Sequence, residues 1–319
     1  MSAIANKLAG LTLNNNFSSS SFQNVNGAEI EGSGYNKIAF PGKDAQMSAV
    51  MDELDSLGFI PENLIESETK WFYESLGIDD LFFARESVAS IVSHILALYS
   101  GKVDAYARGV VDKPFLQHRR EYDDHAVYFE TGTEEFESKI DDKYLDKIPG
   151  DDAYRMEIFN SILPSGEKIK CQFVYKCSFD DDATTVNDKT VENIDSVSDK
   201  TFTQIASNHT KALFTEVINE VTQTQGPIIK HFSIASTGEQ RIIIGYRRNS
   251  SPRYSSALSA LCKYYNLDVT RKYVENFSNG VSIISVYIAH SDDITPEMVI
   301  YQLTKEASLL YYLVLNLTH

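Results

Sequence analysis

The feature that most restricts this chain is a switch between two periodicities, repeated over residues 154–319. Tyr154, Met156 and Ile158 alternate with polar neighbours, as do Ile169, Cys171, Phe173, Tyr175 and Cys177. A period of two describes strands with one buried face, and the intervening 164–166 holds Pro and Gly, so a two-stranded ribbon is predicted. A helix is expected over 199–221, then strands over 228–235 and 241–246 turned at Thr237-Gly238. The next helix should begin at Pro252, capped by Ser250 or Ser251, with Ala257, Leu258, Leu261 and Tyr265 on one face. Strands over 269–277 and 281–288 follow, joined at Asn279-Gly280, a strong hairpin signal. A last helix is expected to open at Thr295-Pro296.

That order is strand–strand–helix three times. It implies an α+β fold of antiparallel sheets with helices packed on one face. The proportions are similar to those of ferredoxin-like or ACT-type modules, an analogy of fold that names no ligand.

Upstream, residues 1–35 hold Asn14 to Asn16, Ser18 to Ser21 and few large apolar groups. A disordered tail is expected, since little apolar burial is available to offset the entropy of ordering. Residues 36–110 read as a helical module. Val50, Met51, Leu54 and Leu57 precede a stop at Gly58, and a helix starting near Pro61 stacks Leu64, Ile65, Phe72 and Leu76 before Gly77. A third helix, from about Glu86, carries Val88, Ile91, Val92, Ile95 and Leu98. Residues 111–153 read as an acidic linker with one strand at 125–130 followed by a solvated loop.

Chemistry is sparse. The formal charge of −16 argues against general affinity for nucleic acid or anionic lipid, which bind through clustered Lys and Arg. Residues 91–98 are apolar but too few to span a bilayer. Three cysteines, Cys171, Cys177 and Cys262, and no signal-peptide pattern suggest reduced thiols in the cytoplasm, with mitochondria the weaker alternative because residues 1–35 contain no Arg. Cys171 and Cys177 would lie ~20 Å apart along one strand, too far to bridge. No glycine-rich dinucleotide turn occurs beyond Glu31-Gly-Ser-Gly34, which follows no strand. No Walker loop, Gly-x-Ser-x-Gly elbow or converging metal-ligand spacing is present in the sequence, and the Asp180 to Asp182 run lacks the Gly and Glu of a calcium loop. Cys171, Cys262 and His94 fit packing roles. The expectation is therefore no catalytic, cofactor-binding or metal residue. Arg247, Arg248 and Arg253 flank a strand-to-helix turn, where guanidiniums and helix N–H groups could receive a carboxylate effector.

Several runs carry more than their physics requires. Phe40-Pro-Gly-Lys-Asp44, Leu57-Gly-Phe-Ile-Pro-Glu62 and Trp71-Phe-Tyr-Glu-Ser-Leu-Gly-Ile-Asp79 occur in order with Ser198-Asp-Lys-Thr201, Gly226-Pro-Ile-Ile-Lys230, Arg253-Tyr-Ser-Ser-Ala-Leu258 and Glu306-Ala-Ser-Leu-Leu-Tyr311. Together they resemble the N-terminal region of the large fungal NAD-specific glutamate dehydrogenases. The resemblance implies a non-catalytic regulatory or assembly region of an enzyme that deaminates L-glutamate to 2-oxoglutarate and ammonia. It implies NAD as cofactor of the full-length parent only, and as partners the rest of that chain and further copies in a homo-oligomer. It places the family's catalytic and nucleotide-binding residues beyond a frame that stops before the catalytic domain, so none transfers to a position here. The alternative is an amino-acid effector-binding or protein-interaction module without an enzymatic role.

Overall fold

The computed structural model describes residues 40–107, 117–121, 123–131, 136–146, 152–162, 166, 168–179, 190–224, 227–234, 237–248, 253–289, 305–306 and 309. The expected N-terminal tail, the cap at Ser250 or Ser251 and the helix from Thr295 lie outside them.

Four helices open the described fold: α1 (Lys43–Leu57), α2 (Glu62–Glu74), α3 (Asp80–Arg85) and α4 (Val88–Ala107). Gly58 adopts a left-handed φ of 62° and sends its N–H back to Leu54 and Asp55, the expected stop of α1. Between Gly77 and Val88 the chain makes a helix that periodicity did not separate from the next. Asp79 caps α3 by accepting from the N–H groups of Leu81 and Phe82 at 3.1 and 3.2 Å.

Strand β1 (Gln117–Glu121) and strand β2 (His125–Thr131) form a hairpin, followed by α5 (Phe136–Tyr144) and the hairpin β3 (Tyr154–Ile162)–β4 (Lys168–Lys176). Then come a 3-10 turn, α6 (Lys200–Ile205), α7 (Asn208–Thr224), β5 (Ile228–Ser233), β6 (Gln240–Arg247), α8 (Tyr254–Tyr264), β7 (Val269–Asn276) and β8 (Val281–Ile288). All eight strands join one antiparallel sheet, ordered β1-β2-β4-β3-β7-β8-β6-β5.

The structure corrects several expectations. Residues 121–152 are more than a strand and a solvated loop: they also contain α5, whose Ile140 and Asp141 are buried, with Leu145 buried just after it. The acidic run made this helix read as solvent-facing, whereas Asp141 has a buried cation to face. The helices also lie on both faces of one sheet. Val127, Phe129, Phe159, Phe173, Ile243, Tyr273, Ile283 and Tyr287 pack under α1–α4 and α7. Their strand neighbours Ala126, Tyr128, Met156, Ile158, Val174, Ile242, Ile244, Val274 and Ile284 pack with Ile140 of α5 and Tyr254, Leu258 and Leu261 of α8. Because successive strand residues point to opposite faces, a sheet apolar on both must be covered on both.

The strand order also changes the unit of repetition. β1-β2-α5-β3-β4 and β5-β6-α8-β7-β8 have the same succession and the same lateral order, first-second-fourth-third, read from opposite edges. The two halves meet where their third strands pair: Met156, Glu157, Ile158 and Phe159 oppose Val274, Tyr273, Lys272 and Arg271. This is a pseudo-two-fold junction of two strand–strand–helix–strand–strand repeats. Their helices α5 and α8 share one face, while α1–α4 and α7 occupy the other.

Candidate functional site

The three arginines singled out in the sequence point to separate partners. Arg247 ends β6 on the α7 face and donates to the Thr222 carbonyl in that helix's last turn, at 3.3 Å. Arg248 gives its backbone N–H to Gly280 at 3.0 Å. Arg253 lies across the sheet, immediately before α8, with its side chain 80% exposed and 3.8 Å from Asp142 of α5. The N–H groups they were expected to share are occupied from within. Asp146, just beyond α5, accepts from the N–H groups of Ser255 and Ser256 at 3.0 and 2.9 Å, and from the Ser256 hydroxyl. A carboxylate thus does occupy this helix N-terminus, as the dipole and unpaired donors favour, and it belongs to the first repeat. Burial pushes the Asp146 carboxyl above its ordinary value, further than the hydrogen bonds from Ser256 and Ser255 pull it down.

One turn away lies a constellation that local sequence could not reveal, since its members are far apart in the chain. Lys272 of β7 donates to Asp141 of α5 and to the Ser259 hydroxyl, each at 2.9 Å, and Ser259 donates to Asp141 at 2.8 Å. A Ser, a Lys and an Asp at these distances invite a catalytic reading. The Lys272–Asp141 pair is buried, and Ser259 already donates its hydroxyl to Asp141, so the three groups are bonded to one another inside the fold. What the group does is join α5 of the first repeat to α8 and β7 of the second.

The opposite face carries a second buried polar cluster where the helical module meets the sheet. Arg85, the last residue of α3, grips both carboxylate oxygens of Glu157 on β3, and Arg155 adds a third contact at 2.8 Å. Burial alone would raise the Glu157 carboxyl, but the two guanidiniums more than offset it and hold the group below its ordinary value. Arg155 also stacks 4.1 Å from the Tyr175 ring centre and lies 3.7 Å from Asp199, the cap of α6. Tyr175 donates to Glu86 at 2.8 Å, and Tyr273 of β7 donates to Asp79. Arg271 pairs with both oxygens of Glu239 at 2.9 Å. The Arg85–Glu157, Tyr175–Glu86 and Tyr273–Asp79 contacts each tie the helical module to a strand far away in sequence, and the Phe82–Phe173 ring pair, 4.3 Å between centres, packs between the same two parts.

The histidine and cysteines noted in the sequence have packed surroundings. His94 is enclosed by the rings of Phe72, Phe82, Phe129 and Phe173, 3.3 Å from the Ser90 hydroxyl. Cys171 is buried within the same core, and burial pushes its thiol up. Cys177 follows β4, its thiol also raised by burial and by the carboxylates of Asp199 and Glu275. Among the described residues no three His, Cys, Asp or Glu side chains converge as a metal site, and no helix is long and apolar enough to cross a membrane.

Residues 40–104, spanning the helical module, match the N-terminal domain of NAD-dependent glutamate dehydrogenase, and residues 116–319 match the second domain of NAD-specific glutamate dehydrogenase. The chain is 35% identical to the NAD-specific glutamate dehydrogenase of Neurospora crassa over 306 residues, which cover 90% of this chain and 29% of that protein. It is 35% identical to a probable NAD-specific glutamate dehydrogenase of Schizosaccharomyces pombe, over 88% of this chain and 28% of the relative. For the Saccharomyces cerevisiae enzyme the identity is 32%, over 90% and 32%. The chain therefore spans less than a third of the length of these curated relatives. It belongs to the NAD-specific glutamate dehydrogenase family, whose N-terminal and second domains it contains.

Proposed function

We propose that this chain is the non-catalytic N-terminal portion of an NAD-specific glutamate dehydrogenase, serving assembly or regulation of an enzyme that converts L-glutamate to 2-oxoglutarate and ammonia. The observation that carries this reading is the use made of the buried polar groups. Glu157, Asp141, Asp146 and Lys272 are each committed to joining one element to another. A dehydrogenase site instead needs a glycine-rich strand-to-helix turn for the dinucleotide pyrophosphate. On this reading NAD binds in the part of the relatives that this chain does not match. A regulatory role and homo-oligomers belong to the same proposal, supported by the family resemblance; ACT-like character rests on the proportion of strands and helices, and a cytoplasmic setting on the three sparse cysteines.

The test is an assay of the purified chain with L-glutamate and NAD, following NADH absorbance. No turnover above the buffer blank is expected. Turnover that scales with protein and survives further purification would overturn the non-catalytic assignment.

A further inference from the structure

An open sheet ends in two edge strands, and here they are β1 and β5, equivalent positions in the two repeats. Among the described residues each pairs on one side alone, β1 with β2 and β5 with β6. The backbone N–H and C=O groups of such an edge are a template for another strand unless charge, proline or a bulge blocks it. The two edges differ in that respect. β1 reads Gln-His-Arg-Arg-Glu, so two copies laid antiparallel about its middle residue would set Arg119 against Arg119. β5 reads Ile-Ile-Lys-His-Phe-Ser, without proline and in unbroken register with β6.

The lysine of β5 does not guard its edge. Lys230 is drawn onto α7, donating to Glu216 and Glu220 at 2.7 Å each. Its side chain is 20% exposed, while those of Glu216 and Glu220 keep 58% and 39%. The spot therefore holds two carboxylates to one ammonium and has room for a further cation. Ile228 and Phe232 flank Lys230 on the same face, half-buried at the margin of the core under α7. Ile229 lies half-buried at the margin of the core on the opposite face.

We propose that a second copy of this chain pairs with it through β5, antiparallel and about a two-fold axis at Lys230, joining the two sheets into one. The inference rests on the assembly reading above and gives its homo-oligomer a surface. In that register each Ile228 faces the other copy's Phe232 on the α7 side, and each Ile229 faces the other copy's His231 on the opposite side. The half-buried apolar side chains are then covered from the side that β6 leaves open. The two Lys230 ammoniums meet at the axis among four carboxylates, two from each copy, so each copy supplies the cation that the other has room for. The arrangement uses the same surface on both copies and closes at two. Pairing β5 with the other copy's β1 would instead leave a free edge at each end.

The test combines sedimentation of the purified chain at micromolar concentrations with cysteine cross-linking. The wild-type chain should sediment as a dimer. Lys230→Glu removes both cations from the axis and should weaken the dimer at least about ten-fold. Residues opposed in an antiparallel pair have Cα atoms ~4.5–5.5 Å apart, within the span of a disulfide. Lys230→Cys should therefore link to itself under mild oxidation, at least about ten-fold faster than Tyr106→Cys, an exposed position on α4 that reports random collision. If Lys230→Glu does not fold, the linking rate alone decides. A wild-type chain that stays monomeric overturns the proposal, and β5 amides protected from hydrogen exchange in that monomer would assign the edge to another part of the same chain. A dimer in which Lys230→Cys links no faster than Tyr106→Cys overturns the β5 junction and leaves the assembly role standing at another surface. The NADH assay reads the non-catalytic assignment separately.

Discussion

Gly245 shows how closely one residue can set the spacing of two elements. It lies in β6 within Ile-Ile-Ile-Gly-Tyr, on the face covered by α7. A Cβ built there would stand 2.3 Å from a methyl of Val217, closer than carbon atoms can approach, and a tight 3.0 Å from one of Val221. Gly245→Ala should therefore push α7 off the sheet and cost about 1–3 kcal/mol, the usual range for overpacking. Adding Val217→Ala should recover part of that loss, and urea unfolding of the two variants measures both. If Gly245→Ala unfolds at the wild-type midpoint, α7 is not held at this distance. Nothing in the sequence flagged the position, because a glycine inside an apolar strand looks the same whether a helix lies above it or not. His94 and Cys171 were legible as packing residues for the converse reason: their neighbours along the chain already supplied an apolar face.

The elements were legible where their signals are local. Asn279-Gly280 closes the β7–β8 hairpin as read, and the apolar stripe of residues 88–98 lies in α4. The expected helix over 199–221 is broken instead. Ala206 leaves the helical conformation, and the Ser207 hydroxyl caps the new start by accepting from the Thr210 N–H at 3.1 Å. A serine serves equally well inside a loop or as a cap, so the break has no distinctive sequence mark. At the start of α8 the Ser255 and Ser256 N–H donors are held by Asp146, more than a hundred residues upstream. Asp146→Ala should remove that cap, cost about 0.5–2 kcal/mol, and speed hydrogen exchange at the Ser255 and Ser256 amides ahead of the rest of α8. Unchanged exchange at those two amides would show that the helix start is secured by other groups.

At the scale of the molecule, the two family domains share a continuous apolar core and the Arg85–Glu157–Arg155 cluster, so they should unfold together. Glu157 ties that stability to acid. Its folded-state pKa lies below the ordinary 4.5, so its contribution is complete above pH 4.5 and is lost as the pH falls through the folded-state value. Glu157→Gln leaves two buried guanidiniums without their carboxylate. It should cost about 3–5 kcal/mol at neutral pH and flatten the decline in stability below pH 4.5. Urea midpoints measured against pH check both effects, and an acid decline as steep as in the wild type would place the titrating group elsewhere. Sequence reading found the helical module and most of the hairpins but took the chain for repeats with helices on one face. Which strand edges meet is decided by pairs such as Ile158 and Lys272, which no window along the chain contains.

The pseudo-two-fold junction has a consequence for how the protein is made. β3 is complete about a hundred residues before β7, the strand that covers its open side, which at synthesis rates of ~5–20 residues per second leaves that side uncovered for roughly 5–20 s. During that interval the nascent first repeat offers a bare strand to any other chain nearby. The charges of Arg155 and Glu157, buried in the finished fold, stand on that strand while it waits. Charged side chains that would have to be buried by a stray partner discourage mispairing. The strand whose Glu157 locks the helical module to the sheet is thus also the one whose charges face a stray partner.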